Sequence, residues 1–276
     1  MSNSVIYIII DGLSDQVARQ QMGYLFALTE AGQASYYTLQ CELPSLSRPL
    51  YECLLTGATP VESGIVHNGV QRRSNQVSLF DLVRSTQKTT AAAAYHWFSE
   101  LYNRSPYSAR RDRFTHDPTL AIQHGIFYHQ DHYPDEHVFL DADYLRCQYQ
   151  PDLLLIHPMN IDDAGHHFGL DSSEYRNQAR QTDLLLSHYL PEWMAEGYQI
   201  IITADHGMTA DKMHGGRQPC EREVPLFVIG DHFSHNLDIV PRQKELCGCI
   251  ASLMGIANHH KPICKALLKE TLCLDG

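Results

Sequence analysis

The sequence predicts an α/β fold in which helices cover both faces of a mostly parallel central sheet. Short apolar runs such as "VIYIII" and "QIIITA" alternate with helical patterns along the chain. Several of these runs are apolar throughout, which is typical of strands that are buried on both faces. The 276 residues are also enough for one large α/β domain with a sizeable core.

The elements can be assigned in order from these patterns. The first strand is predicted at residues 5–10, and Ser14 is a suitable N-cap for a helix that runs to about Thr29. A second strand, "YYTLQCEL", precedes a short helix, "RPLYECLLTG", which has Pro49 near its start and Gly57 at its end. The other predicted strands lie at 152–157, 199–204 and 224–230, and the other predicted helices lie at 172–197, 242–254 and 261–268. Residues 89–95 fit a weak strand or a helix, and we favour the strand.

One stretch interrupts this alternation of strands and helices. Residues 97–136 are rich in Tyr, His and Arg and show no clear periodicity. We therefore expect a loop-rich insertion or cap at 97–136, within a single domain that spans residues 1–276.

Composition and charge narrow the functional classes. The net charge of −11 argues against a nucleic-acid polymer as a partner. No apolar run approaches the ~20 residues of a membrane span, and the N-terminus lacks the features of a signal peptide. The eight cysteines are scattered and form no Cys-x-x-Cys pair, which fits reduced thiols. We expect a cytoplasmic protein without a membrane partner, and no pattern in the sequence indicates an oligomeric state.

Three predicted strands lead into acidic residues. Asp11 follows the first strand, Asp205 follows "IIITA", and Asp162 lies shortly after "DLLLIH". Ligand sites of open parallel sheets gather at the carboxyl ends of the strands, so these carboxylates are expected at one edge. A single such Asp is more often a turn former or helix cap. Three together repel one another, which makes a bound cation the natural explanation.

Histidines accompany these carboxylates. His166 follows Asp162 in "DDAGHH", and His214 follows Asp205 and His206 in "DHGMTADKMHGG". Mixed carboxylate and imidazole ligands suit zinc, or manganese where oxygen ligands dominate. The sequence therefore predicts a metal site at this edge of the sheet.

Five motifs in order resemble those of the alkaline phosphatase superfamily, and within it the type I phosphodiesterase/nucleotide pyrophosphatase branch. They are "IIIDGLSD", "LPSLSRPLYECLLTG", "SGIVHNGV", "DDAGHHFG" and "ADHGM", the last followed by "HGG". Their order and strand context agree across residues 5–70 and 151–230. The resemblance implies an alkaline phosphatase-like catalytic domain.

The resemblance also implies two divalent cations, zinc or alternatively manganese. The first ligand set would be Asp11, Ser47, Asp205 and His206. The second ligand set would be Asp162, His166 and His214. His167 is a rival to His166. His259 or His260 is a rival to His214, because the last ligand lies further along the chain in some members of the family.

A covalent phospho-serine intermediate at Ser47 follows from the same resemblance. A metal would lower the pKa of the Ser47 hydroxyl so that it attacks phosphorus as an alkoxide. Ser47 also lies at the start of a short helix, where phosphate binding is favoured, although a plain N-cap would account for a serine there. Asn68 would donate a hydrogen bond to a non-bridging oxygen; otherwise it is a turn residue before Gly69.

The expected activity is hydrolysis of a small phosphate ester, most simply a phosphodiester or nucleotide pyrophosphate. An Asn at the position of Asn68 accompanies phosphodiesterases in the family. Arg48 could bind the second charge of a monoester, but we expect it to point to solvent. Tyr51 stands where a sulfatase has Arg, and the chain is too short for the inserted domain of the phosphoglycerate mutases. A phosphomonoesterase, a phosphonoacetate hydrolase-like enzyme and a non-catalytic metal-binding member are the alternatives.

Side chains of the 97–136 segment are candidates for substrate contacts. Arg110, Arg111 and Arg113 could meet a phosphate. Tyr102, Tyr107 and Phe127 could stack on a base. A solvated basic loop with core aromatics is the more common arrangement.

Overall fold

The computed structural model describes residues 4–270, and these residues form one eight-stranded sheet flanked by helices. The strands are β1 (Val5–Ile9), β2 (Ala34–Gln40), β3 (Thr90–Tyr95), β4 (Phe114–His116), β5 (His124–Tyr128), β6 (Leu153–Ile156), β7 (Gln199–Thr203) and β8 (Glu223–Ile229). Their order across the sheet is β2-β8-β7-β1-β6-β3-β5-β4.

Twelve α-helices lie within the described residues. They are α1 (Asp15–Gln21), α2 (Gly23–Glu30), α3 (Ser47–Thr56), α4 (Pro60–Ser63), α5 (Leu79–Ser85), α6 (His96–Tyr102), α7 (Ala109–Asp112), α8 (Asp135–Tyr149), α9 (Asn160–Phe168), α10 (Ser173–Ala195), α11 (Pro219–Arg222) and α12 (Leu246–Leu253). None of them combines the length and the apolar character needed to cross a membrane.

The centre of the sheet is parallel. In register, Ile8 of β1 pairs with Ile156 of β6 on one side and Ile202 of β7 on the other. Antiparallel pairing is confined to the outer strands, where β8 pairs with β7 and β2, and β4 pairs with β5. The predicted mostly parallel sheet is confirmed, and the carboxyl ends of β7, β1 and β6 lie side by side.

The helix predicted from Ser14 to about Thr29 is two helices. Ser14 caps α1 as predicted, since its hydroxyl accepts a hydrogen bond from Val17 N. The chain then breaks at Met22, and α2 begins with its first amides bonded to the carboxylate of Asp183, at 2.7 Å from Tyr24 N. Because this cap comes from α10, about 160 residues along the chain, the sequence around Met22 does not predict the start of a new helix.

The segment 97–136 is loop-rich, as predicted, but it is not a separate insertion, because its strands belong to the central sheet. It carries most of α6, all of α7, and both β4 and β5. β5 pairs in parallel with β3, as in Ala93 with Ile126, and β4 pairs with β5 at the edge of the sheet. These strands have only three and five residues and contain His and Gly, so pairing decides their structure: β5 pairs with the buried alanines of β3, and β4 pairs with β5.

The C-terminal part of the described chain is less helical than predicted. A 3-10 turn, Gln243–Glu245, leads into α12, and the expected helix at 261–268 is only a 3-10 turn, Lys265–Leu267. The reason is tertiary, because Leu268 forms an isolated β-bridge with Phe233 and is buried there.

Candidate active site

Three buried carboxylates meet at the carboxyl ends of the central strands. Asp11 follows β1, Asp205 follows β7, and Asp162 lies in the first turn of α9, the helix that follows β6. Gly12 N donates to Asp205 Oδ1 at 3.1 Å. Because β7, β1 and β6 are neighbours, the strand-end pattern read from the sequence becomes one cluster of acidic side chains.

Gly12 lets the turn after β1 pack closely against Asp162. It has a φ of +72°, and a Cβ built on it would lie 2.8 Å from the Cα, Cβ and Oδ1 of Asp162. A side chain at this position would therefore be strained by its backbone conformation and would also collide with α9.

Asp11, Asp205 and His206 form what we call the inner group. Their ligand atoms all lie within 4.8 Å of one another. His206 Nε2 is 3.2 Å from Asp205 Oδ2 and 3.5 Å from Asp11 Oδ1. The hydroxyl of Ser47, the first residue of α3, lies 3.0 Å from the same nitrogen. The structure thus places Ser47 against the inner group.

Asp162, His166 and His214 form the outer group. His166 Nε2 lies 3.4 Å from Asp162 Oδ2 and 3.2 Å from His214 Nε2, and His214 Nε2 is 3.8 Å from Asp162 Oδ1. His206 also reaches this group, because it, Asp162 and His214 offer ligand atoms within 4.8 Å of one another. The His206 and His214 rings stack with centroids 3.7 Å apart, so His206 links the two groups.

Each of the three histidines directs its Nε2 atom toward the carboxylates. Nδ1 of His166 lies 3.0 Å from the carbonyl of Lys212, and Nδ1 of His214 lies 2.8 Å from the carbonyl of Ser45. Nδ1 of His206 is 2.9 Å from the carbonyl of Gly207. A carbonyl only accepts, so Nδ1 carries the proton and Nε2 is left as a potential ligand.

The carboxylates also have free ligand atoms. Asp11 Oδ1, Asp162 Oδ1 and Asp205 Oδ2 are buried and have no hydrogen-bond partner among residues 4–270. Buried polar atoms without partners are costly, and here each lies within 4 Å of Nε2 of His206 or His214. Two cations would satisfy these oxygens and the Nε2 atoms of the histidines, so the side chains present fit a two-metal centre.

Burial and close contact shift the pKa values of the side chains in both groups. Burial raises the pKa of Asp205 well above its ordinary value, and the charges of Asp11 and Asp162 raise it further. Burial and the charge of Asp11 likewise raise the pKa of Asp162. The hydrogen bond to Asp162 raises the pKa of His166 to about 9, whereas burial lowers that of His214 to about 4.

Asn68 lies beside Ser47. Its Oδ1 accepts a hydrogen bond from the backbone N–H of Arg48 at 3.1 Å, which places the carboxamide next to Ser47. Within the described part of the chain no hydrogen bond uses Asn68 Nδ2. This nitrogen is a neutral donor available to a ligand at the start of α3.

The expectation that Arg48 points to solvent is wrong. Its side chain is only 3% exposed, and Nη2 donates to Glu100 Oε2 at 2.8 Å. The guanidinium also lies 4.5 Å from the centroid of the Trp97 ring. Glu100 is 52 residues away, so neighbouring sequence gives no sign of this pair. The cation next to Ser47 is already neutralised.

The rival histidines lie elsewhere. His167 turns to its own helix, with Nδ1 2.8 Å from the carbonyl of Asp163. His259 Nε2 bonds the hydroxyl of Ser252 at 3.0 Å. Among the described residues neither His259 nor His260 joins a group of potential metal ligands. The structure therefore brings His166 and His214 to Asp162, as the sequence favoured.

The aromatic candidates of the 97–136 segment are mostly structural. Tyr102 and Phe127 are buried in the core, and Tyr102 donates to Glu52 Oε2 at 3.0 Å. The hydroxyl of Tyr107 donates to the carbonyl of Phe127. Tyr102 and Phe127 are closed to a stacked base, and Arg111 is paired with Asp112 at 2.7 Å.

Three residues near the centre were missed by sequence reasoning. His157, fully buried, lies with Nε2 3.3 Å from Asp11 Oδ2, and the hydroxyl of Tyr51 donates to the same oxygen. Gln243 Nε2 donates to the carbonyl of Asp205 at 2.7 Å. His157 directly follows β6, so the strand-end rule applied to the aspartates would have found it. Tyr51 and Gln243 carry no such signal.

Comparison with known proteins identifies the family. The model of the type I phosphodiesterase / nucleotide pyrophosphatase family matches residues 5–215. The chain belongs to this family. The predicted family and its alkaline phosphatase-like fold are thereby confirmed, and they support a phosphoester hydrolase or transferase of the alkaline phosphatase superfamily.

Individual relatives are distant. GPI ethanolamine phosphate transferase 2 of Aspergillus fumigatus is 22% identical over 246 residues, which are 83% of this chain and 30% of the relative. The chain thus spans less than a third of that protein's length.

Two solved structures share the fold. Inactive murine ectonucleotide pyrophosphatase / phosphodiesterase 5, in complex with AMP, superposes with a TM-score of 0.72 at 11% identity, covering 92% of this chain and 95% of that one. The phosphonate monoester hydrolase of Silicibacter pomeroyi has a TM-score of 0.67 at 14% identity, covering 97% and 76%.

Proposed function

We propose that this family member is a two-metal enzyme that cleaves phosphodiesters or nucleotide pyrophosphates through a covalent phosphate ester on Ser47. One observation carries the proposal. The Ser47 hydroxyl lies 3.0 Å from His206 Nε2, and His206 is the side chain that the inner and outer groups share. A hydroxyl in this position lies against the one side chain that connects the two groups.

Two divalent cations, zinc or alternatively manganese, would be held by the two groups. Asp11, Ser47, Asp205 and His206 would hold one, and Asp162, His166 and His214 the other. When bound, the cations lower the pKa of the Ser47 hydroxyl and neutralise charge on the phosphoryl oxygens.

The protein's own side chains then account for the covalent step. Ser47 Oγ gives up its proton to water and forms the bond to phosphorus as the bond to the leaving oxygen breaks, and the leaving alkoxide takes a proton from water. Asn68 Nδ2 donates to a non-bridging oxygen. A water molecule then attacks the phosphorus of phospho-Ser47, which releases the phosphate product and returns the serine hydroxyl.

The substrate charge is matched to a diester. Glu100 already pairs with Arg48, and Asn68 supplies a neutral donor beside Ser47. A monoester dianion needs an additional positive partner, whereas a diester carries a single negative charge. These contacts favour diesters over the alternative phosphomonoesterase activity.

A second candidate is transfer of the phosphoryl group to an alcohol in place of water. It has a specific observation in its favour, since the relative that aligns over 83% of this chain is named an ethanolamine phosphate transferase. The same Ser47 ester serves both reactions, and they differ only in the acceptor.

Turnover of bis-p-nitrophenyl phosphate with zinc or manganese tests the proposal. We expect Ser47→Ala to lose about 10³-fold or more in rate while keeping most of its bound metal. Ser85→Ala, on the exposed end of α5, is the matched control and keeps the wild-type rate. A Ser47→Ala rate equal to wild type would eliminate the nucleophile.

Parallel assays separate the substrate classes. Mono-, di- and phosphonate p-nitrophenyl esters compared side by side show which charge class is preferred. Added ethanolamine or glycerol, with the products resolved by phosphorus NMR, distinguishes transfer from hydrolysis. A higher kcat/KM for the monoester would contradict the diester assignment.

A further inference from the structure

We propose that His157 is a positioning residue that fixes the Asp11 carboxylate for the inner cation. This inference rests on the cation centre of the proposed function. It assigns a role to a buried imidazole that the covalent chemistry at Ser47 does not use.

The two oxygens of Asp11 have different surroundings. Oδ2 accepts a hydrogen bond from the Tyr51 hydroxyl and lies 3.3 Å from His157 Nε2. Oδ1 has no hydrogen-bond partner among residues 4–270 and faces His206 Nε2 at 3.5 Å. One oxygen is therefore anchored from behind, and the other is left for the inner group.

The imidazole of His157 cannot turn away from Asp11. Its ring meets the rings of Tyr51 and Phe98, with both centroid distances at 4.8 Å. The Tyr128 hydroxyl donates to the His157 carbonyl at 2.6 Å and lies 3.2 Å from Nδ1. The backbone N–H of His157 donates to Ala93 of β3. Neighbouring elements thus hold the ring in one orientation.

Among the described residues, Asp11 is the partner within reach of His157 Nε2. His157 Nε2 is fully buried, and within the described residues it makes no hydrogen bond in its present geometry. A carboxylate oxygen at 3.3 Å is the acceptor within reach. Residues behind a metal ligand typically change metal affinity by about 10–100-fold when they are removed, because they orient the ligand.

Zinc binding by the full chain tests this role without reading turnover. Metal-free protein is titrated with zinc against a competing chelator, and bound zinc is counted per chain. We expect two zinc ions for wild type, and a loss of about 10–100-fold in affinity for one of them in His157→Leu. His157→Gln, whose amide offers an N–H donor in place of Nε2, should recover most of that affinity.

Phe98→Leu is the matched packing control. Phe98 packs against the His157 ring but makes no polar contact with Asp11, so its truncation should lower the melting temperature and leave both zinc affinities within about twofold of wild type.

Either of two results overturns the inference: His157→Leu binding both ions like wild type, or Phe98→Leu losing as much affinity as His157→Leu. Failure of the proposed reaction is distinguishable, because it leaves these affinities unchanged. A wild-type chain that binds no zinc overturns the metal centre and this role together.

Discussion

The inner and outer groups are built in different ways. The inner side chains are fully buried and follow the central strands β1 and β7 directly, with Tyr51, His157 and Gln243 packed behind them. The outer group lies on α9 and the loop after β7, and its histidines are oriented by the backbone carbonyls of Lys212 and Ser45.

The two groups also differ in solvent exposure. The side chain of His166 is 38% exposed, whereas His206 is fully buried. Asp162 and His214 of the outer group are also buried, with side chains 8% and 4% exposed. The inner group is thus part of the core next to Ser47, and His166 marks the side from which water or another acceptor can reach the centre. The buried ligands should tolerate substitution least, and His166 should be replaceable by water.

The largest effect is expected from the inner group. We predict that Asp205→Asn lowers kcat/KM by about 10³-fold and reduces bound zinc from two to one, because an amide is a poor ligand and no water can replace it there. Elemental analysis and diester turnover measure the two effects. The control Asp163→Asn, an acid of α9 outside both groups, should be silent, and an active Asp205→Asn enzyme would remove the distinction between the groups.

A smaller effect is expected from the outer group. His166→Ala should lower the rate by about 10²-fold at limiting zinc, and excess zinc should restore most of it, since solvent can occupy the vacated ligand position. The zinc dependence of turnover measures this. His167→Ala, its exposed neighbour, should behave like wild type. An irreversible loss in His166→Ala would mean that the outer ligands are as demanding as the inner ones.

A substitution at Gly12 should disturb the packing that holds the inner and outer groups together. Gly12→Ala should destabilise the fold by ~2 kcal/mol or more, because positive φ and the contact with Asp162 both oppose a side chain. Denaturant unfolding measures this loss. Gly32→Ala is a matched control, since Gly32 has a φ of +70° with nothing within 4 Å of a built Cβ. Equal losses in the two variants would show that the contact with α9 is unimportant.

The smallest predicted effect concerns metal release. A chelator should remove the outer cation about tenfold faster than the inner one, because the outer group includes the partly exposed His166, whereas the side chains of the inner group are fully buried. Stopped-flow mixing with a zinc-sensitive dye would show two phases. A single phase with two ions released would indicate that the groups open together.

The sequence predicted that Asp11 and Asp205 lie together, and the reason is physical. Both follow strands with an apolar centre, and parallel pairing of adjacent strands brings their ends together. Choosing His166 and His214 over the rival histidines needed the family resemblance, because a helix and a loop carry them and several other histidines stand nearby. The metal identity and the roles of these residues stay predictions.

Other features depend on partners far along the chain. Glu100 takes Arg48 out of solvent, and Asp183 starts α2 at a point where the local sequence continues a helix. β5 forms because β3 offers it an edge, and β4 forms because β5 offers the next one; their own residues do not favour strand. Such contacts are decided by tertiary packing, which local patterns do not encode.

The lack of a side chain at Gly12 also determines how far apart the two groups lie. Because the turn after β1 rests directly on the backbone of Asp162, the distance between the inner and outer groups is set by main-chain contact rather than by flexible side chains. Exchanging a ligand would change which ion the centre prefers, but the packing of α9 on this turn sets the interval between the two groups. Chemistries that need a wider interval would require moving the helix itself.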